Sequence, residues 1–222
     1  MKRAIICCGI IYQDIEDVLK SLPYEADIIQ LPPKLHNHPD QLTSQLQEEI
    51  DTLSGKGYDE IVLTYFLCGN GLIGITARDT PVAFGRCEDC IDACVGYHSE
   101  YKDWRRNSIF ESRGWLNNGD DQTAEVRAMR QRYDEETVKE LYSEMYVNYK
   151  KVIYMKMEDT IDPEDLTKAK DFADLVDLDF MVTDGTLDVY KDLLAVEHSD
   201  NVCVLAPGEK VELSMFNLMR RI

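Results

Sequence analysis

Positive charge is scarce in this sequence. Against 42 Asp and Glu residues stand 24 Lys and Arg, a formal net charge of −18 over 222 residues. That balance disfavours nucleic acid, because nothing offsets repulsion from phosphates, and it argues equally against an anionic membrane surface. The short basic run at 102–106 does not overturn the total. Solubility is the plain reading of the acidity. Long apolar runs are missing too. None approaches the ~20 residues that a membrane helix needs. After Met1-Lys2-Arg3 the apolar stretch from Ala4 ends at Ile11, without the length or the small-residue cleavage site of a secretory signal. A buried first strand and a cytoplasmic location are the expectation. Two signatures are also absent: no phosphate-binding loop with a Lys-Ser/Thr pair occurs, and there is no Gly-x-Ser-x-Gly.

What the sequence does have is cysteine, with seven residues: Cys7, Cys8, Cys68, Cys87, Cys90, Cys94 and Cys203. In a cytosolic chain of this size a disulfide framework is not expected. Some of these thiols serve simply as small buried hydrophobes, the reading that suits Cys203 inside an apolar strand and Cys94.

The hydrophobic pattern alternates strands with helices. Continuous apolar runs at 3–9, 26–31, 60–67 and 81–85 read as strands covered on both faces. Between them, 13–21 and the segment after Asp40 to Leu53 carry apolar residues at helical spacing, with Asp40 as the expected N-cap. A short helix is expected at 72–78 and another from Cys87. The stretch 99–121 is polar, aromatic and irregular. Its Tyr101, Trp104, Phe110 and Trp115 suit either a lid or packing in a core or interface. Charged helices follow to 149, then strands at 152–157, 180–183 and 201–205, with helices at 161–175 (Pro163 first) and 186–194. This pattern predicts a Rossmann-like α/β fold, a mostly parallel sheet with helices on both faces. The expected organisation is one domain over 1–222 with a helical excursion at about 99–149.

Strand topology gives the cysteines their interest. In a parallel sheet all carboxyl ends lie along one edge, where open α/β sheets bind ligands. Cys7 and Cys8 end the first strand, His36 follows the second, Cys68 ends the third, and Cys87, Asp89 and Cys90 follow the fourth. Thiolates and imidazole suit zinc, or iron in a cluster. The expected ligand set is Cys8, His36, Cys68 and Cys90. Adjacent Cys7 and Cys8 point to opposite faces, and Gly9 beside Cys8 permits a close approach. Cys87-Glu88-Asp89-Cys90 reads as a redox pair, two ligands or coincidence. Asp89 suits either a hydrogen bond that orients the site or a helix cap. Arg86 is a candidate for an anionic group. Asn70, between Gly69 and Gly71, lies in a backbone-rich turn that could hold an anion. His38 makes the turn before Pro39, and His98 and His198 are expected on the surface.

These strings also carry a family resemblance. Leu31-Pro32-Pro33-Lys34-Leu35-His36-Asn37, Ile61-Val62-Leu63-Thr64-Tyr65-Phe66-Leu67-Cys68-Gly69-Asn70-Gly71 and Arg86-Cys87-Glu88-Asp89-Cys90-Ile91 resemble the domain-of-unknown-function 1638 family of anaerobic archaea and bacteria. Cys8-Gly9, Gly114-Trp115 and Pro207-Gly208 add to the likeness. Two positions depart from it: the family usually has glycine where Phe66 stands and often histidine where Glu88 stands. Members tend to be encoded beside corrinoid-dependent methyltransferases. The resemblance therefore implies a role in anaerobic methyl-group metabolism, with a corrinoid protein or methyltransferase as partner. Zinc is the expected metal, with an iron–sulfur cluster or a corrinoid as alternatives. A zinc–thiolate methyltransferase-type enzyme and a non-catalytic structural partner of a methyltransferase remain the other readings.

Overall fold

The computed structural model describes residues 1–96, 104–118, 122–157 and 161–216. His98, Tyr101 and part of the basic run at 102–106 lie outside the described residues. The chain is a Rossmann-like α/β protein that divides into two compact units. One comprises Met1–Gly96 and Thr186–Ile222, and the other Tyr97–Gly185.

In the first unit, β1 (Arg3–Cys8), β2 (Ala26–Leu31), β3 (Glu60–Leu63), β4 (Val82–Gly85) and β8 (Val202–Leu205) form a sheet of order β2-β1-β3-β4-β8. The first four strands are parallel and β8 runs antiparallel to β4. Helices α1 (Tyr12–Leu19) and α2 (Pro39–Leu53) make the crossovers from β1 to β2 and from β2 to β3. Strand order reverses at β1, so right-handed crossovers send these helices to opposite faces. The buried stripe Leu42, Leu46, Ile50 and Leu53 seats α2 on the sheet. The short helices α3 (Cys90–Val95) and α8 (Asp188–Leu194) complete the cover.

Local chemistry explains where the elements depart from the sequence pattern. Pro39 takes the first helical position of α2, which leaves His38 at the cap and Asp40 inside the first turn. Residues 68–74 are turns, not the start of a helix at 72–78, because Gly74 adopts φ +93°. Leu72, Ile75 and Ala77 are buried all the same. β8 is antiparallel because the second unit intervenes between β4 and α8, so no simple crossover dictates its direction.

One polar cluster stabilises the amino-terminal edge of this sheet. Arg3, only 1 % exposed, pairs through Nη2 with Glu60 at 2.9 Å, and its Nη1 reaches the carbonyls of Leu194 and Ala195 at 2.9 and 2.8 Å. His198 is not a surface residue: its Nε2 lies 2.9 Å from Glu60. Tyr24 donates its hydroxyl to the Leu194 carbonyl. The cluster ties the returning segment after α8 to the first strand. Removing one partner leaves a buried charge uncompensated, so Glu60→Ala is expected to cost about 3–5 kcal/mol in urea unfolding. A loss below about 1 kcal/mol would show the cluster to be incidental.

The second unit has its own parallel sheet, β5-β6-β7, from β5 (Ser108–Glu111), β6 (Lys151–Lys156) and β7 (Asp179–Asp184). The expected excursion at 99–149 therefore opens a unit that runs to Gly185. Its helices are α4 (Arg113–Asn118), α5 (Gln122–Arg130), α6 (Glu135–Met145) and α7 (Pro163–Leu175). Asp134 and Asp162 cap α6 and α7 by accepting from the Thr137 and Glu164 amides. Val126, Val138, Tyr142, Val152, Phe172 and Ala173 form its core.

Glu111, buried at the carboxyl end of β5, is held by that burial at a pKa of about 8 against an ordinary 4.5. Both folded and unfolded forms carry the proton below pH 4.5, so its contribution is fully present there. It is lost as pH rises toward 8, when only the unfolded chain ionises freely. Glu111→Gln is expected to flatten this loss, on the order of 4 kcal/mol between pH 4.5 and 8. Urea midpoints compared at pH 5 and pH 8 test this, and equal pH dependence in both proteins contradicts it.

Candidate functional site

The reversal of strand order at β1 fixes where the sheet can hold a ligand: the gap between the carboxyl ends of β1 and β3. Cys8 ends β1 there. The pairing of β1 with β3 stops at Ile6 and Leu63, while its pairing with β2 continues to Cys8 and Leu31. Thr64 then bridges the gap. Its amide donates to the Ile6 carbonyl at 3.1 Å and its hydroxyl accepts from the Cys8 amide at 3.4 Å. Gly9 is needed at this point, because a Cβ would meet the Leu31 carbonyl at 3.2 Å and Pro33 Cδ at 3.3 Å. Its lack of a side chain lets the end of β2 close over Cys8.

The chain beyond β3 and β4 stays paired through single amide bonds. Leu67 donates to the Cys87 carbonyl at 3.3 Å and Cys68 to that of Glu88 at 2.9 Å. These bonds hold Cys68 beside the Cys87–Cys90 segment. Cys68 adopts φ +45° and Asn70 φ +77°. The turn is anchored on α2, where Thr43 donates to the Gly71 carbonyl at 2.8 Å. Asp89 accepts from the Asp92 amide at 2.9 Å and so caps α3, whose first residue is Cys90. His36 sits in a single helical turn, Leu35–Asn37, entered through Lys34 at φ +69°.

Electrostatics ties these side chains into one neighbourhood. Burial pushes the Cys68 thiol up to about 12, and the Asp89 carboxylate and Cys8 push in the same direction. Burial holds Cys90 well above the ordinary range, with Asp89, Cys68, Cys94 and Cys8 adding to it. Cys8 is also raised by burial, against the amide of Ile10, the Tyr65 hydroxyl and the amide of Ile11, which favour its thiolate. Burial lowers the His36 pKa, partly offset by Asp89. Its neutral, metal-ligating form is therefore favoured. Asp89 thus bears on His36, Cys68 and Cys90, and Cys8 bears on Cys68 and Cys90. Among the described residues, no three or more His, Cys, Asp or Glu side chains are grouped as a metal ion requires.

The other sequence candidates lie apart from this neighbourhood or at its rim. Arg86 donates through Nη1 to the Met215 carbonyl at 2.7 Å. Asn70 and His38 are exposed, and Cys87 and Cys203 are buried. Cys94 lies 4.0 Å from the Tyr190 hydroxyl inside the core. The sequence reading missed Tyr65. Its position, polar within the apolar run 60–67 and next to Thr64, was the available signal.

The chain matches the family described as "Protein of unknown function (DUF1638)" over residues 30–194. It belongs to that family. No curated protein and no solved structure matches it. The matched span of this family member includes His36, Cys68 and Cys90 and leaves Cys8 outside. Among the described residues, no helix is long and apolar enough to cross a membrane.

The backbone at Cys68 gives a test of how the turn is held. A Cβ in the left-handed region costs roughly 1–2 kcal/mol. Cys68→Gly and Cys68→Ala both delete the sulfur, but only alanine keeps the strain. The glycine variant is expected to be the more stable by about 1 kcal/mol in urea unfolding. Equal stability would place Cys68 in an ordinary conformation in solution.

Proposed function

We propose that this protein binds a thiophilic metal ion, zinc first, at the carboxyl edge of its first sheet, through Cys8, Cys68 and Cys90 with His36 as the fourth ligand. What supports the reading is that the Asp89 carboxylate bears on His36, Cys68 and Cys90, and that Cys8 bears on Cys68 and Cys90, at the sheet edge where strand order reverses. The donor set has the chemistry of a zinc site. Neutral imidazole is ready to ligate, whereas the three thiols are protonated at neutral pH and must ionise as the ion arrives. The Asp89 carboxylate, which opposes thiolates, favours a cation in their midst. The side chains must turn toward one another for an ion to be held. On the family resemblance alone, we assign this metal handling to corrinoid-dependent methyl-group metabolism, with a corrinoid protein or methyltransferase as partner.

Zinc uptake should release close to three protons per ion at pH 7, since each ligating thiol gives up one and His36 gives none. Calorimetry in two buffers of different ionisation heat measures the number. Protein prepared without oxygen is expected to carry close to one equivalent of zinc, and Cys68→Ser to lose most of it. Unchanged metal content in Cys68→Ser would remove Cys68 from the ligand set, and metal-free wild-type protein that takes up no added zinc would defeat the reading.

A further inference from the structure

The second unit carries a cleft of about 410 Å³ between α5, α6 and α7, a volume within the range of small-molecule sites. Val126 and Arg130 on α5, and Glu135 and Lys139 on α6, are each four residues apart, the spacing that aligns side chains along one side of a helix. The floor is apolar. Val126, Phe172 and Leu175 are 5, 7 and 7 % exposed. Edge-on contacts with Tyr142 and Tyr146, at centroid distances of 6.5 and 5.6 Å, hold the Phe172 ring in place. The rim is charged, with three cations and three carboxylates. Two of the cations are committed elsewhere: Arg130 donates to Glu135 at 2.8 and 2.5 Å, and Lys168 lies 3.0 Å from Glu164. Lys139 is not, since among the described residues it has no hydrogen bond and no ion pair. On α7, Asp171 and Asp174 are exposed and make no ion pair among the described residues, although Asp171 acts on Arg130 at longer range. The cleft therefore keeps an ammonium on α6 apart from two carboxylates on α7, above an apolar floor.

We propose that this cleft binds a small zwitterion with an apolar body, either a free amino acid of the leucine type or a short apolar peptide. The ligand's carboxylate meets Lys139, its ammonium meets Asp171 and Asp174, and its side chain lies on Phe172 between Val126 and Leu175. A plain anion would gain Lys139 but face the two carboxylates of α7. A plain cation would gain those carboxylates but face Lys139. Only a molecule that bears both charges is attracted from both walls. The floor selects among zwitterions, because covering apolar surface favours an aliphatic side chain over glycine. The site lies in the second unit alone and needs no metal at the first sheet.

Amide shifts of the full-length protein, labelled with nitrogen-15 and titrated with L-leucine and with leucyl-leucine, test this. Amides of α5, α6 and α7 should shift saturably, with the better probe half-saturating at about 1 mM or below. Blocking either charge of that probe, by acetylating its ammonium or converting its carboxylate to an amide, should weaken binding about tenfold. Glycine should leave the spectrum unchanged. Lys139→Gln replaces an exposed residue that has no partner, so its urea midpoint should equal that of the wild type. This variant should bind the better probe about tenfold more weakly. It should bind the amide derivative, which has no carboxylate for Lys139 to meet, as the wild type does. Tighter binding of L-leucine assigns the cleft to free amino acids, and tighter binding of leucyl-leucine assigns it to peptides. Three results would each overturn the proposal: no saturable shift in these helices with either probe at about 10 mM, an acetylated derivative that binds as tightly as its parent, or a Lys139→Gln variant that binds the parent unchanged.

Discussion

Everything at the candidate site follows from the unequal pairing of β1. Six residues of β1 are in register with β2, but only four with β3. The last two, Cys7 and Cys8, are thus held on one side and open on the other. A parallel strand cannot end this way inside a sheet without leaving backbone groups to be satisfied. The Thr64 hydroxyl takes the Cys8 amide in place of the missing ladder bond. The gap is therefore not a defect of packing. It is what remains when the β1-to-β2 and β2-to-β3 crossovers place their strands on opposite sides of β1.

Depth determines the chemistry available there. A neutral thiol is easily buried. A thiolate in the same position loses its hydration, and this desolvation dominates at Cys8, Cys68 and Cys90. The Asp89 carboxylate makes matters worse for an anion and better for a cation. At neutral pH these thiols are protonated, and in the proposed site a soft cation would have to replace protons to bind. A site of that kind would discriminate against ions that bond weakly to sulfur, because only a strong metal–thiolate bond offsets the desolvation of several sulfurs at once.

Fold class was legible in the sequence because it depends on long-range averages: continuous apolar runs alternating with amphipathic segments. β2 and the Pro163 start of α7 fall where pattern and cap chemistry place them. β5 escaped because its four residues include Ser108 and Glu111, polar groups that periodicity assigns to solvent and that the fold buries. The division into two units escaped for a related reason, since a three-stranded parallel sheet looks locally like a continuation of the first. At the site, strand topology predicted that Cys8, Cys68 and Cys90 lie beyond the carboxyl ends of β1, β3 and β4. The buried Arg3–Glu60–His198 cluster was not predicted, because its members lie tens to hundreds of residues apart in sequence.

Backbone conformation separates the site from the rest of the described chain. Four residues other than glycine adopt positive φ: Lys34, Cys68, Asn70 and Asp177. Asp177 has an ordinary cause. It follows the end of α7, where the Leu178 amide returns to the Ala173 carbonyl at 3.0 Å, the bond that closes many helices. The other three end no α-helix. Lys34 is two residues before His36, and Cys68 and Asn70 form the turn itself. Asparagine tolerates the left-handed region, but lysine and cysteine gain nothing from it intrinsically. Their conformations are imposed by what the turns connect: Lys34 redirects the chain after Pro32 and Pro33, and Cys68 is pinned by its amide bond to the Glu88 carbonyl. Strain of this kind persists only where surrounding contacts over-determine it. At Cys68 the contact that imposes it, the amide bond to the Glu88 carbonyl, is also the one that holds this turn beside the Asp89–Cys90 segment, so the fold spends local backbone stability on that juxtaposition.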